Sequence, residues 1–421
     1  MTGARHRILL INQYAGSPVH GMEFRPFSLA REWTRTGNDA LIVAGAPSHV
    51  RANDPELRRT ITRERIGGID FEWFRLPSYR GNGMRRAANI VTFASILWGR
   101  SRALADRFRP DIVIASSTHP LDIYGARAIA RRAKARLVFE VHDLWPLTPI
   151  ELGGVSPRNP FIVAMSRAER YACRHADAVV SIPPAADEYL VTRGLQRSRF
   201  VHIPNGISID EFDREAEPFT GAHAELIADL RAANTFILGY TGSIGMANAL
   251  DDLVSAMALL RDRNVAALLW GDGPDRAELE QRIRAAGLTN VHLLGRIPKA
   301  AVRSALEACD AAFLGWKNLS IYRFGVSPNK LYDYMAAGLP IVHATSAPGD
   351  PVAICGCGVS VPAEDPAVLA EALARLAKQP AAELALMGAR GRASVVKNND
   401  YPVLAARFLA AIEDAGSTRN S

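Results

Sequence analysis

The chain has 421 residues, 48% of them hydrophobic and 22% charged, close to an ordinary globular composition, which excludes a disordered tail, a collagen-like chain and a disulfide miniprotein. Four cysteines are too few for a disulfide framework and fit a reducing cytosol. Fifty Lys and Arg against 43 Asp and Glu leave a formal charge of +7, which points to an acidic partner such as phosphate, anionic lipid or nucleic acid without choosing among them.

At ~150 residues per domain the length predicts two or three domains. The opening MTGARHRILLIN is basic and then apolar. Its apolar run is shorter than the ~7–15 residues of a signal peptide, so it reads as a first strand. No window approaches the ~18 uncharged apolar residues of a membrane span.

Strand-like runs follow at 7–12, 40–44, 69–74, 111–115, 136–141, 177–181 and 199–203. Amphipathic stretches lie between them at 23–36, 87–108, 121–134, 159–175 and 184–193. The alternation breaks in an acidic, irregular stretch near 204–220 and then restarts. Strands are expected at 236–240, 265–270, 290–294, 310–314, 340–343 and 358–361. Helices are expected at 248–261, 274–287, 299–308, 328–337, 366–377 and 380–391. This is an α/β pattern of two doubly wound, Rossmann-like domains, 1–205 and 216–395, expected to face a deep interdomain cleft. A last helix at 401–414 is expected to pack back on the first domain. Ligands in such sheets gather at the carboxyl ends of the strands.

In the second half, Gly242-Ser243-Ile244-Gly245 joins a strand to a helix expected to start near Asn248. Backbone N–H groups and a helix dipole there suit a phosphate, although the turn alone would also explain the glycines. Gly271-Asp272-Gly273-Pro274 reads first as a turn and second as a ligand loop. Ser327-Pro328-Asn329-Lys330-Leu331-Tyr332-Asp333 opens a helix that Gly338 would end. Lys330 is a cation at the end of the helix that disfavours one, and Asp333 follows at a spacing that puts both on one side. Together they could hold a phosphate and a ribose diol, or form a surface ion pair.

In the first half, His119 (Ser116–Pro120) and His142 with Asp143 (Glu140–Pro146) lie at strand ends, where imidazole suits proton transfer. A third loop, Gly16 to Gly21, precedes Glu23 and Arg25. Segment 80–109 carries seven arginines around an apolar centre; it reads equally as a basic helix on an anionic membrane or as a helix packed on the sheet. Cys355-Gly356-Cys357 lacks a second pair at zinc-like spacing and reads as core or loop. No serine sits in a G-x-S-x-G elbow, which disfavours a hydrolase.

Jointly, the glycine loop after the first strand, EVHDLWP at 140–146, IPNGI at 203–207, GDGP at 271–274 and SPNKLYDYMAAGLP at 327–340 resemble the family 4 retaining glycosyltransferases of the GT-B fold. The likeness is nearest to the subgroup that transfers amino- or deoxysugars in bacterial surface-polysaccharide synthesis, lipopolysaccharide included. It implies a nucleotide-diphosphate sugar, with UDP the first expectation, bound mainly by the second domain, and no catalytic metal or other cofactor. Asp333 matches the second glutamate of the family's E-x7-E motif, which holds the donor ribose; Gly325 stands where its first glutamate is common. Lys330 matches a diphosphate contact. Ser243 and Asn248 align with the family's usual Arg and Lys. Phosphate binding then leans on Lys330 and on the loop amides of Gly242 to Gly245, with Gly271, Ser327 and Asn329 beside them. Arg296 and Ile297 match the base-binding segment. His119 matches loosely the histidine that touches the transferred sugar, and His142 and Asp143 a second cleft motif. Gly16, Gly21, Glu23 and Arg25 fall on the acceptor side.

The likeness implies a glycan or polyprenyl-diphosphate-linked acceptor at the inner face of the cytoplasmic membrane. The alternatives are a non-catalytic sugar-nucleotide-binding protein and a GT-B epimerase. A nucleic-acid partner is not expected, because the basic residues are dispersed.

Overall fold

Apolar, β-branched runs with no polar face become the central strands of two largely parallel sheets, as expected for strands covered by helices on both sides. The computed structural model describes residues 5–21, 24–57, 59–79, 81, 83–214 and 216–417, which leaves Glu23 and Arg80 outside the described residues. It divides into one unit of Met1–Asn205 with Tyr401–Ser421 and a second of Gly206–Asp400.

The first unit holds eight strands: β1 (Arg7–Ile11), β2 (Asp39–Ala46), β3 (Ile61–Ile66), β4 (Ile69–Arg75), β5 (Ile112–Ala115), β6 (Arg136–Val141), β7 (Ala178–Ser181) and β8 (Phe200–His202). Their order is β3-β4-β2-β1-β5-β6-β7-β8. β1 pairs in parallel with both β2 and β5, so the winding reverses beside it. The one strand absent from the sequence pattern is β3, because ITRERI carries three consecutive charges, Arg63, Glu64 and Arg65. It is antiparallel to β4 and forms the sheet edge, where charge discourages pairing with another chain. The hairpin turns through Gly67 and Gly68, with φ of +55° and +85°, a two-residue turn that only glycine adopts freely.

The long helix Tyr401–Ser417 belongs to this unit. Trp33 donates from Nε1 to the Ala405 carbonyl at 3.0 Å. Its ring meets Phe408 edge-on, centroids 5.4 Å apart. Leu404, Phe408 and Ile412 thereby join Ile8, Leu10 and Ile42 in one core.

The second unit holds β9 (Phe236–Thr241), β10 (Val265–Trp270), β11 (Val291–Gly295), β12 (Ala311–Gly315), β13 (Ile341–Ala344) and β14 (Gly358–Val361), ordered β11-β10-β9-β12-β13-β14. In unit-internal numbers this is 3-2-1-4-5-6, the Rossmann order, with its switch point between β9 and β12. All its pairs are parallel. The stretch expected to be irregular, 204–220, contains helix Ile209–Arg214, and helix Ala222–Ala232 follows it where no element was expected. Their apolar Phe212, Leu226, Ile227 and Leu230 pack against the core, a tertiary gain that local acidity does not reveal. Among the described residues, no helix is long and apolar enough to cross a membrane.

Phe408→Ala removes a fully buried ring from the first unit's core. Urea unfolding is expected to show a loss of ~3–5 kcal/mol; a loss below ~1 kcal/mol would mean that the terminal helix is only loosely attached.

Candidate functional site

In the second unit, the carboxyl end of β9 runs into Gly242-Ser243-Ile244-Gly245, and that of β10 into Gly271-Asp272-Gly273. The two loops touch backbone to backbone. The Gly242 amide donates to Trp270 O at 2.9 Å and the Ile244 amide to Asp272 O at 2.9 Å. A Cβ on Gly271 would lie 1.8 Å from the Gly242 carbonyl oxygen, and one on Gly273 2.1 Å from that of Ile244. Both glycines are therefore required by close approach. The amides of Ser243 and Gly245 make no hydrogen bond among the described residues, so they remain as donors.

The helix after this loop starts later than its sequence suggests. A single 3-10 turn, Met246–Asn248, and Ala249 at φ +49° precede the α-helix Leu250–Leu259. Asp251 and Asp252 occupy its first turn and pair with Lys317 at 2.8 and 3.0 Å. The helix dipole is thus offset by the protein's own carboxylates, and anion binding falls to the loop amides and Lys330.

Lys330 lies in the first turn of helix Asn329–Ala336, after Pro328. Its Nζ donates to Tyr240 Oη at 2.9 Å and to Asn248 Oδ1, and lies 4.7 Å from the Tyr240 ring centroid. Tyr240 in turn donates to Ser243 O at 2.6 Å, and Asn248 Nδ2 donates to the same carbonyl at 2.9 Å. A Cβ on Gly242 would sit 3.3 Å from Nζ. Gly242, Ser243, Asn248 and Lys330 are thus brought together at the switch point. Desolvation lowers the Lys330 ammonium to about 7, and no carboxylate offsets it.

Asp333 does not pair with Lys330. Its carboxylate makes no hydrogen bond or ion pair among the described residues. Burial raises it to about 6, with the Lys299 charge opposing. A half-buried carboxylate with open lone pairs is an acceptor for a diol. Ser327 Oγ bonds Tyr332 Oη at 2.7 Å, and Asn329 is exposed. Gly325 has φ +86° and contributes no side chain. Arg296 is exposed and pairs with Asp272 at 3.2 Å, while Ile297 packs at the edge of the core.

The first unit treats its predicted residues differently. His119 is fully buried. Its Nε2 faces Gln13 Oε1 at 2.5 Å, so that nitrogen carries the proton, and Gln13 passes the bond on to Asn89. Burial, with Arg86 adding, drops the ring to about 3. The ring is closed off from solvent, wedged among Gln13, Phe93 and Tyr14, and its Nδ1 has no hydrogen-bond partner among the described residues. Arg25 is also interior. It binds Glu140 at 2.9 Å and the carbonyls of Ile203 and Pro204, so it fastens β6 to the chain after β8 rather than meeting an acceptor. Gly16 is buried; Gly21, φ +69°, closes a turn by donating to Ser17 O at 2.8 Å.

His142 remains a candidate. Its Nε2 lies 3.0 Å from Ser116 Oγ and 3.3 Å from Glu140 Oε2. Burial would raise Glu140, but Arg25 and His142 hold it at about 2. The ionised carboxylate fixes a proton on His142 Nε2. Asp143 next to it is exposed. Among the described residues no cluster of three or more His, Cys, Asp or Glu is placed to hold a metal.

Residues 20–206 match the family model for a glycosyl transferase 4-like domain, and residues 235–379 match that for glycosyl transferases group 1. Two such domains in this order, on a GT-B fold, define a glycosyltransferase, and this chain belongs to the family built from them. It is 22% identical over 348 residues to the probable glycosyltransferase WbjE of Pseudomonas aeruginosa, across 82% of this chain and 84% of that one. It is 24% identical over 313 residues to the putative colanic acid biosynthesis glycosyl transferase WcaI of Escherichia coli K12, across 73% and 75%. The fold is shared with Anabaena Alr3699/HepE, crystallised with UDP and glucose, at TM-score 0.66 and 17% identity over 97% of this chain and 100% of that one. Trehalose-6-phosphate synthase OtsA gives 0.72 and 13% over 97% and 99%.

The sequence did not single out Tyr240, the acceptor for Lys330. Its place as the penultimate residue of β9, just before the glycine loop, was the available signal.

A lysine with a lowered folded pKa costs stability below that value; the cost fades as pH rises toward the unfolded pKa of ~10.4. From pH 7 to pH 10, wild type should therefore gain at least ~1 kcal/mol relative to Lys330→Met in urea unfolding, after discounting for partial solvent exposure. A pH-independent difference would show that Lys330 is not desolvated.

Proposed function

We propose that this chain is a retaining glycosyltransferase that moves a sugar from a nucleotide-diphosphate sugar, with UDP as the carrier, to a lipid-linked or growing glycan of a bacterial surface polysaccharide. The observation that carries this reading is the group at the switch point of the second unit. A cation at Lys330, two loop amides and an open carboxylate at Asp333 match, in order, a diphosphate and a ribose diol. The similarity to the putative colanic acid biosynthesis glycosyl transferase of E. coli supports a polysaccharide role, and the UDP complex of HepE supports the carrier.

Departure of a diphosphate builds negative charge on the leaving oxygen and positive charge on the sugar. Fixed N–H dipoles and Lys330 stabilise the first without reorganising. On this reading the leaving phosphate itself takes the proton of the acceptor hydroxyl, as retention on one face permits, and no metal ion is required.

Lys330 is charged below about pH 7 and neutral above it. UDP affinity by calorimetry is therefore expected to fall as pH rises from 7 to 9, and Lys330→Met is expected to bind at least ~10-fold more weakly with that dependence removed. Asp333→Asn should weaken UDP by ~10-fold or more through the ribose bonds. Wild-type affinity in both variants would remove the site. Anomeric NMR of the first product tests retention.

The membrane part rests on helix Met84–Phe108. Its inner side, with Ile90, Phe93, Leu97 and Leu104, is buried. A second stripe at seven-residue spacing, Met84, Val91 and Trp98, is exposed at 90, 47 and 58%, and Arg85 and Arg102 lie exposed beside it. An exposed apolar stripe with flanking arginines suits an anionic bilayer surface. Trp98→Ser with Arg102→Glu is expected to lower flotation with phosphatidylglycerol vesicles ~10-fold or more. Unchanged flotation would leave the protein without this attachment.

A further inference from the structure

A second group of cations lies on the helices that cover the first unit. Helix Pro160–His175 presents Arg167, Arg170 and Arg174 at spacings of three and four residues, which puts them on one face. All three are exposed. With Tyr171 and His175 they line a cavity of about 230 Å³ that holds no carboxylate. Arg127 reaches the same place from the neighbouring helix, Ile123–Ala133. It donates to Tyr171 Oη, and its guanidinium stands 5.1 Å from that ring's centroid. Tyr171 packs against Tyr124 at 4.9 Å and meets His175 edge-on at 4.4 Å.

Ordinary surface pairing does not account for the group. On helices of the second unit, arginines one turn from a carboxylate pair with it: Arg282 with Glu278 at 3.0 Å, Arg284 with Glu280 at 3.2 Å and Arg303 with Glu307 at 2.7 Å. Arg127, Arg167, Arg170 and Arg174 form no ion pair among the described residues. The one acid of helix Pro160–His175 is Glu169, which is buried and already bound by Arg193 at 2.7 Å and Tyr189 at 3.0 Å. Helix Ile123–Ala133 has no acid. Like charges at these spacings destabilise a helix. The helix dipole compensates cations in the last turn, which covers Arg174 and His175 but neither Arg167 nor the Arg127 of the other helix. His175 feels the crowding: burial and the charges of Arg127 and Arg174 hold it below the usual range of an imidazole.

A guanidinium presents a planar fork that matches two phosphate oxygens, and it rests on an aromatic ring at the same time. Several forks around one cavity suit an anion with more than one charge. The cavity is smaller than the ~300–1,000 Å³ of sites for drug-sized ligands, so it fits a phosphate or diphosphate group rather than a whole nucleotide. We infer that this cavity binds a phosphate-type anion on Arg167, Arg170 and Arg174, with Tyr171 in its wall and Arg127 adding charge from the neighbouring helix. The site shares no residue with that at Lys330, and it stands whether or not the transferase reading does. The anion is either free in solution or the headgroup of an acidic lipid.

The test is calorimetry of inorganic diphosphate on the full chain. Lys330→Met removes the ammonium of the second unit and is expected to leave diphosphate binding to the first unit in place. In that background, Arg167→Gln with Arg174→Gln is expected to weaken diphosphate at least ~10-fold, while Arg167→Lys with Arg174→Lys keeps part of the affinity. Both side chains are exposed, so the glutamine pair is expected to keep the urea midpoint of its parent. Dihexanoyl phosphatidic acid, a soluble lipid, is the second probe. Binding through the same arginines at least ~10-fold tighter than diphosphate would identify a lipid headgroup, and equal or weaker binding a free anion; either outcome supports the site. Absence of diphosphate binding in the Lys330→Met chain would overturn the inference. Diphosphate affinity that the glutamine pair leaves unchanged would overturn it equally. UDP binding that depends on Lys330 would survive both of those results, so the donor reading is judged separately.

Discussion

The second unit is organised around an ammonium group held out of water without a carboxylate. Lys330 is solvated by Tyr240 Oη, the face of the same ring and Asn248 Oδ1. Neutral oxygens and a ring quadrupole compensate an ion only in part. The deficit is recorded in the lowered pKa of the lysine. A carboxylate at this point would have stabilised the fold and spent the charge. Its absence leaves the cation available to an anion from outside, the usual conflict between stability and function at a site.

The glycines around Lys330 follow from the same constraint. For Nζ to stand over the end of β9, the loop beneath it must be flat. Gly242 leaves the space that Lys330 fills, and Gly271 and Gly273 let the neighbouring loop lie directly on the first. Their stacked carbonyls and amides satisfy one another, and the alternate amides of Ser243 and Gly245 remain over. The site is therefore made largely of backbone, with one ammonium and one carboxylate as its charged side chains.

Much of this was legible in the chain. Among the described residues, thirteen of fourteen strands are visible as mostly apolar runs, because parallel strands buried on both faces need few polar positions. The SPNKLYD segment announced Lys330 and Asp333 through a cation at the wrong helix end. What stayed hidden depended on contacts distant in sequence. The charged strand β3 forms only because β4 accepts it at an edge. The helices within 209–232 form because Leu226, Ile227 and Leu230 find a core. His119 looked like a ligand-facing residue by position; burial by Phe93 and a bond to Gln13 turned it inward, and neither partner lies within 20 residues of it.

His119 also explains why two units of related topology are equipped so differently. At the switch point of the second unit, β9 and β12 leave their ends to a lysine and two open amides. At that of the first, between β1 and β5, the same place is closed by the protein itself. Asn12 donates to Ser116 O at 2.6 Å, the Gln13 amide to Ser117 Oγ at 3.0 Å, and Gln13 links His119 to Asn89. Such a network fixes the loops after both strands, with His119 Nδ1 left without a partner among the described residues. The two switch points thus differ in kind: one leaves loop amides and an ammonium open, and the other is occupied by the chain's own side chains.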